Sequence, residues 1–400
     1  MRLRTYESFF LIKNGLLSTY PSLQKNIDTE IIVLGGGITG ALISHALFNA
    51  GYDTMVLDKR DIGTGSTSAT TSMLQYELDV PLYKLAQQIG EEEAVASYKA
   101  CQEAIHDLEK LVNNERIECG FVKKSSLQVA HNKRAATWLH KEFELRDKHQ
   151  LGVRWLSSEE IQTSYGINST GGILSDLAAS MDAYQFTHAL ISNNAKKGLQ
   201  VYDQVEIKKI VHDKQGIQIY LKNGKHVRAK KLVYCTGYET IEFLKDPVAK
   251  LYTTFVSISE EHVEVKNTLR NTLVWDTEDP YLYLRTTDDN RLLVGGADVS
   301  YQPADLINST KEKKRKTLMK KLQHIMPGID FVDDFTWAGV FGSTRNGLPY
   351  IGAHPDFPHS FFVLGFGGNG IMFSVQGMQI VLDWMTGKEN MLGPLYRFGR

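Results

Sequence analysis

The stretch Glu30-Ile-Ile-Val-Leu-Gly-Gly-Gly-Ile-Thr-Gly40 decides how this chain folds. Ile31 to Leu34 form a short apolar run, the pattern of a strand buried in a parallel sheet. Gly35, Gly37 and Gly40 satisfy Gly-x-Gly-x-x-Gly, and Ala41, Leu42, Ala46 and Leu47 follow at helical spacing. The first glycine permits the tight turn, the second lets a diphosphate approach the backbone, and the third lets helix pack on strand. The helix start then offers unpaired N–H groups and the positive end of a dipole to phosphate. A second apolar run, Thr54 to Leu57, ends at Asp58, roughly 20 residues beyond the glycines, where an acid can grip a ribose hydroxyl. A glycine triplet alone fits any strand-to-helix turn. Strand before, helix after and acid at this distance together point to dinucleotide binding.

The 400 residues are ample for two domains with sizeable cores. Apolar content of 42% and charged content of 23% are those of a soluble globular protein, and a formal net charge of -1 gives no global attraction to nucleic acid or an anionic membrane. Cys101, Cys119 and Cys235 are far apart and form no Cys-x-x-Cys pair. That argues against a disulfide framework or a cysteine-rich zinc site, so no metal is expected, and a reducing cytoplasm is the natural setting. Arg2 and Arg4 before Phe9-Phe-Leu-Ile12 outline a targeting segment, but Lys13, Asn14 and Gly15 interrupt the run and no small-residue cleavage site follows. No stretch approaches the length of a membrane span. Residues 1–27 read as an arm packed on the domain surface, and the chain as cytoplasmic.

Past Asp58, Gly63-Thr-Gly-Ser-Thr-Ser-Ala-Thr-Thr71 is small and hydroxyl-rich. It is either a solvated loop or, following the ribose acid directly, a lining for the phosphate and ring parts of a cofactor. Residues 82–150 carry helical patterning. Lys311 to Lys321 is basic, but Leu318, Met319, Leu322 and Ile325 recur at helical spacing, so the lysines belong to the wet face of an amphipathic helix rather than to a nucleic-acid patch. Ile217, Ile219 and Leu221 alternate, Asn223-Gly224 supplies a hairpin turn, and Leu232-Val-Tyr-Cys-Thr-Gly237 reads as a further buried strand ending at a small-residue turn. Tyr281-Leu-Tyr-Leu-Arg285 also alternates, which puts Tyr281, Tyr283 and Arg285 on one face of a strand. Near the C-terminus, Phe362-Val-Leu-Gly-Phe-Gly-Gly-Asn-Gly370 is strand, then glycine loop, then helix, a second place where helix N–H groups can face a ligand.

These pieces, in this order, resemble the D-amino-acid oxidase-like (DAO) superfamily of FAD-dependent oxidoreductases, which includes glycine oxidase and monomeric sarcosine oxidase. The matching stretches are the N-terminal glycine cradle, Gly63 to Ser68, Cys235-Thr-Gly237, Asn346-Gly-Leu-Pro-Tyr-Ile-Gly352 and Gly365-Phe-Gly-Gly-Asn-Gly370. The resemblance implies an α/β architecture: a Rossmann-like FAD-binding domain with a parallel sheet, plus an α+β substrate domain with a mixed or antiparallel sheet. The expected division assigns 1–84, 178–247 and 337–400 to the FAD domain, and 85–177 and 248–336 to the substrate domain. By the same resemblance, Gly35, Gly37 and Gly40, with Ile38 and Thr39 between them, face the pyrophosphate, and Asp58 with Lys59 the adenosine ribose. Gly65, Ser66, Thr67 and Ser68 approach the pyrophosphate and isoalloxazine. Ile207 holds adenine, and Cys235, Thr236, Gly237 and Gly352 complete the cofactor contacts. Gly367, Gly368, Asn369, Gly370 and Ile371 lie at the flavin's pyrimidine edge, where N–H donors stabilise an anionic reduced ring.

The departures from the family pattern concern the substrate. Phe341 stands where sarcosine oxidase-like members carry a flavin-tethering cysteine, so FAD is expected without a covalent link. The same neighbourhood gives other members an arginine for the substrate carboxylate, and Met372 stands where a substrate-gripping lysine can occur. Arg285 or Arg345 could replace these anchors, since guanidinium pairs with carboxylate in bidentate fashion; a structural ion pair for Arg285 and an exposed turn for Arg345 are the competing readings. Tyr281 and Tyr283 are either walls of the substrate cavity or ordinary core. The implied reaction oxidises the C–N bond of a small amine or amino acid by hydride transfer to flavin, with oxygen or another acceptor taking the electrons and the imine hydrolysing. No convincing catalytic dyad is present, and none is demanded if the amine binds deprotonated. The alternatives are an FAD-dependent dehydrogenase of a 2-hydroxy acid or polyol, and a nucleotide-binding protein that catalyses nothing.

Overall fold

The apolar run after Glu30 lies within the strand Ile27–Leu34, in the interior of an eight-stranded sheet. The computed structural model describes residues 1–400 apart from 2, 6, 246 and 262, with the side chains at 304 and 305 left aside. Arg2, part of the possible targeting segment, therefore lies outside the described residues. The sheet runs in the order Tyr350–Ala353, Ser360–Leu364, His226–Tyr234, Ile27–Leu34, Thr54–Leu57 and Gln200–Tyr202. All these neighbours pair in parallel except the antiparallel edge strand Tyr350–Ala353. Leu34 is level with both Leu57 and Tyr234, and Tyr234 with Phe362. The strands therefore end along one edge, and the segments following them leave the sheet together. That carboxyl edge is where parallel sheets form ligand crevices.

The hairpin at Asn223-Gly224 joins Gly216–Leu221 to His226–Tyr234, with Tyr220 opposite His226. The segment after the turn and the apolar run from Leu232 are one continuous strand rather than two. Its first half pairs with the hairpin and its second half with Ser360–Leu364, so its backbone groups are engaged on both sides of the junction. The helix Ile38–Asn49 packs between the sheet and the helices Ala183–Lys197 and Gly370–Thr386, burying Ala41, Leu42, Ile43 and Leu47 completely.

A second sheet of nine strands follows the order Asp333–Ser343, Lys250–Ser259, Leu292–Ser300, Tyr283–Thr286, Thr272–Asp276, Val122–Val129, Gly172–Ser180 and Met73–Gln75, with Val153–Leu156 also on Gly172–Ser180. It is mixed: Thr272–Asp276 and Val122–Val129 pair in parallel, the others antiparallel. The basic helix Ala304–Ile325 covers it with buried Leu318, Leu322 and Ile325, as the helical spacing requires. Two elements cross the expected domain division. Met73–Gln75, within 1–84, hydrogen-bonds into the second sheet. The helix Glu91–Asn114, within 85–177, buries Tyr98, Cys101 and Ile105 in the same core as Ile31 and Val33.

The N-terminal arm is more than a surface strap. Phe9 and Phe10, in the short helix Phe9–Asn14, are buried, and Phe9 stacks on Trp337 with ring centroids 6.2 Å apart. They share a cluster with Ala69, Tyr184, Val256 and Tyr283, because two adjacent aromatics remove more apolar surface wedged between sheet and loop than lying on either. Among the described residues, no helix is long and apolar enough to cross a membrane.

Helix Leu82–Ile89 begins after Pro81 without a side-chain cap. Its first N–H groups, at Leu82 and Tyr83, donate instead to the carboxylate of fully buried Glu142, at 2.8 and 2.9 Å. Glu142 also accepts 2.7 Å from Nε of fully buried Arg146, one helical turn on. Removing one member of a buried pair strands the other charge. Glu142→Ala is thus expected to destabilise the protein by about 3–5 kcal/mol, read from the denaturant midpoint. Glu142→Gln, which keeps one acceptor, should lose less.

Candidate active site

The loops at the carboxyl edge of the parallel sheet enclose a cavity of about 960 Å³, and a second of about 160 Å³ adjoins it. Ser66, Thr70, Tyr238, Gly367, Gly368 and Ile371 line both, so the two share a wall.

The glycine turn is shaped by what lies across from it. Gly35 has φ +112, and a Cβ there would stand 2.4 Å from the carbonyl oxygen of Cys235 at the end of the neighbouring strand. Gly37 caps the helix Ile38–Asn49 without a side chain, and the Ile38 N–H donates to Thr67 Oγ1 at 3.0 Å. Asp58 braces the same turn: one carboxylate oxygen accepts from the Gly36 N–H at 2.6 Å, the other from the Arg60 N–H at 2.8 Å. Burial raises the Asp58 carboxyl above its ordinary value, and these two N–H donors pull the other way. The helix Gly370–Thr386, which follows the C-terminal glycine loop, reaches the cradle, since Thr39 Oγ1 and Ser374 Oγ are 2.8 Å apart. The two ends of the polypeptide meet at one cavity.

Most of the cofactor candidates border it. Gly35, Gly37, Ile38, Thr39, Asp58, Lys59, Gly65, Ser66 and Thr67 come from the N-terminal half, with Ile207 on the hairpin side, and Cys235, Thr236 and Gly237 after their strand. Gly367, Gly368, Gly370 and Ile371 approach from the C-terminal loop. Lys59 also donates to Glu239 at 2.9 Å. Asn369 lines the smaller cavity, and its side-chain amide donates to the carbonyls of Gln75 and Glu77, both at 2.9 Å. Three candidates stand back. Gly40 packs against the Gly35 carbonyl, Ser68 donates to the Gly65 carbonyl at 3.1 Å, and Gly352, on the edge strand, faces Arg397. The cradle fits a dinucleotide: the glycine backbone is open to the cavity, and the buried Ser66 hydroxyl, where the cavities meet, has no hydrogen-bond partner.

Of the substrate candidates, Tyr281 and Tyr283 border the smaller cavity, their rings 5.7 Å apart, and Arg285 and Arg345 do not. Arg285 does share the face of Tyr283, but the arm's Phe10 lies over it and it borders a different cavity. Its guanidinium, 3% exposed, donates to the carbonyls of Thr71, Thr286 and Met181. Burial lowers its pKa to about 10, with Asp182, Asp288 and Asp289 acting in the opposite direction. Arg345 is exposed on a turn. Phe341 lines the cavity and stacks on Tyr252 with centroids 5.5 Å apart, whereas Met372 is sealed in the core.

Sequence reasoning missed the residues that give this cavity its charge. Glu77, Asp79 and Asp298 line it, with Trp275, Tyr238 and Thr254, and no Lys, Arg or His among the described residues does so. Asp79 is open to the cavity yet surrounded by protein on its other sides; that burial raises its carboxyl, and the Gly368 N–H, 3.0 Å away, works against the rise. Asp298 is pushed up to about 6, chiefly by burial. It lies at a β-bulge: Thr253 pairs with Val299 and Phe255 with Gly296, so Ala297 and Asp298 together oppose Thr254, and Ala297 takes φ +55. The signal was present in Gly295-Gly296, since glycines interrupting a strand mark a bulge.

This is the cofactor and substrate architecture of a flavin-type oxidoreductase. The chain belongs to the DAO family, FAD dependent oxidoreductase, whose model matches residues 30–381. Glycine oxidase of Bacillus subtilis (strain 168) is 24% identical over 379 residues, covering 90% of this chain and 94% of that protein. Gamma-glutamylputrescine oxidoreductase of Escherichia coli (strain K12) is 21% identical over 391 residues, covering 95% and 89%. The crystal structure of glycine oxidase from Geobacillus kaustophilus superimposes with TM-score 0.77 at 21% identity, covering 94% of this chain and 99% of that one.

Two outcomes follow from this geometry. Asp58→Ala removes the carboxylate expected to grip the ribose and the brace on Gly36, so affinity for FAD should fall tenfold or more (about 1.4 kcal/mol), measured by titrating apoprotein with FAD. Asp298 has a folded-state pKa above its unfolded one, so between roughly pH 4 and 6 the folded state holds more protons and stability falls as pH rises. Asp298→Asn lacks this loss. It should melt higher than wild type at pH 7.5, with the difference shrinking towards pH 4.

Proposed function

We propose that the chain oxidises a C–N bond of a small amine or amino acid, with FAD held non-covalently in the larger cavity and the substrate in the smaller one. The observation that carries this reading is the junction: the aromatic and carboxylate-lined cavity adjoins the glycine cradle across Ser66, Tyr238 and Gly367. Glycine oxidase and gamma-glutamylputrescine oxidoreductase, both named for nitrogen-bearing substrates, support it. FAD, when bound, supplies two-electron oxidation of a C–H bond next to nitrogen, leaving an imine that water hydrolyses.

The chain's own residues bind, orient and dehydrate. The first-turn N–H groups of Ile38–Asn49 and the backbone of Gly35 and Gly37 suit a pyrophosphate, and the backbone of Gly367 to Ile371 suits the polar edge of the ring system. Tyr281, Tyr283 and Trp275 confine the substrate and exclude water. Non-covalent binding is supported by Phe341 in the cavity wall and by the state of Cys235, the sole cysteine bordering either cavity among the described residues, whose thiol is raised by burial and stays protonated. Oxygen or another acceptor would take the electrons.

The test is anaerobic mixing of holoenzyme with amines, amino acids, 2-hydroxy acids and polyols. Bleaching of the flavin band by an amine or amino acid is the expected result. Bleaching only by a hydroxy acid or polyol would move the chain to that substrate class, and bleaching by none would remove the catalytic reading. Acid precipitation should leave the protein pellet colourless and the flavin in solution.

A further inference from the structure

Three features of the smaller cavity bear on what it holds: the sign of its charge, the unequal acids that carry it and its aromatic wall. Its charged lining is entirely acidic, and both guanidinium candidates for a carboxylate anchor lie elsewhere, Arg285 committed to backbone carbonyls and Arg345 exposed. The three acids are not equivalent. Glu77 accepts from Ser175 Oγ at 2.6 Å and lies 3.8 Å from Arg146, and Asp79 accepts from Gly368. Asp298 Oδ1 is buried without a hydrogen-bond partner, as is Glu77 Oε2, but Glu77 faces Arg146 whereas Asp298 has the Thr254 hydroxyl beside it. The bulge that positions Asp298 forces Ala297 into the left-handed region, a strained conformation kept where the surrounding structure requires it. The lysines nearest in charge to Asp298 are already engaged: Lys314 donates to the Ala297 carbonyl, and Lys321 to the Pro280 carbonyl and Glu278. Neither borders the cavity.

Trp275, Tyr281 and Tyr283 form a chain of rings 6.1 and 5.7 Å apart, and aromatic faces attract cations. These rings and Asp298 belong to the smaller cavity alone, whereas the wall shared with the cofactor cradle is Ser66, Thr70, Tyr238, Gly367, Gly368 and Ile371. These rings and Asp298 thus form a cation-attracting wall that Tyr281 carries up to the shared wall, its hydroxyl 3.7 Å from where a Cβ on Gly368 would stand.

Resting on the reading of this site as one that oxidises amines or amino acids, we infer that its substrate is an alkyl diamine. Its reacting carbon sits at the shared wall, and its distal ammonium group is held by Asp298 within the frame of Tyr281, Tyr283 and Trp275. A substrate carboxylate in that position would face Asp298, with no Lys, Arg or His among the described residues lining the cavity to pair with it.

The test uses holoenzyme, titrated by calorimetry with 1,4-diaminobutane, n-butylamine, glycine and butyrate, with perturbation of the bound-flavin spectrum as a second readout. Diaminobutane should bind at least tenfold more tightly than n-butylamine, and glycine and butyrate should not compete. Asp298→Asn should abolish that tenfold preference while keeping its FAD content and unfolding in a single transition no lower than that of wild type. Equal affinity for the two amines, tighter binding of glycine or butyrate, no binding by any of the four, or an unchanged preference in Asp298→Asn each overturns the assignment. Reduction by glycine together with tight butyrate binding would defeat the diamine but leave an amino-acid oxidoreductase standing. If nothing reduces the flavin, the catalytic reading falls, while the binding preference still decides this one.

Discussion

The parallel register of four strands is the constraint on which the site depends. Leu34 is level with Leu57 and Tyr234, and Tyr234 with Phe362, so chain segments separated by hundreds of residues reach the same edge. A parallel sheet must return each strand by a crossover, and this chain places its entire second sheet within such connections. The cradle is consequently assembled from both ends of the polypeptide. Its close contacts, such as Gly35 against the Cys235 carbonyl and Thr39 against Ser374, exist only when that register is correct.

The second sheet contributes what the first cannot. Antiparallel pairing allows a bulge, and the bulge between Leu292–Ser300 and Lys250–Ser259 brings Asp298 opposite Thr254 at the cavity wall. Burying acids together has an electrostatic cost: two like charges 4 Å apart repel by roughly 4 kcal/mol at an effective dielectric of 20. Desolvation leads the rise of both the Asp79 and Asp298 carboxyls, and at Asp298 the neighbouring charge of Asp79 adds to it. Perturbed carboxyls of this kind cluster at functional sites, and here they line the space next to the cradle.

The N-terminal arm shows how packing redirects a plausible candidate. Phe10 lies over the Arg285 guanidinium, and backbone carbonyls of Thr71, Thr286 and Met181 take up its donors. Buried in this way, Arg285 ties the hydroxyl-rich loop to the second sheet. The alternation of Tyr281, Tyr283 and Arg285 did put them on one face, but a face extends further than a cavity.

Local chemistry was enough to read the cradle. Gly-x-Gly-x-x-Gly after an apolar run, Asp58 at its distance and the C-terminal glycine loop are specific only in combination, and the glycines are legible because close approach of backbone to phosphate excludes side chains whatever surrounds them. The amphipathic helix over Lys311 to Lys321 was legible for a similar reason, as periodicity is a property of the chain alone. Which charges face the smaller cavity was decided by tertiary structure. Asp79 and Asp298 are ordinary acids in sequence, and they become neighbours of one cavity only through a bulge, a sheet pairing and a loop contact with Gly368. Arginine and carboxylate look alike as candidates in a sequence. The direction each side chain takes and the partners that saturate it depend on contacts made across the whole fold, and those settle whether a charge is spent on the structure or left facing a ligand.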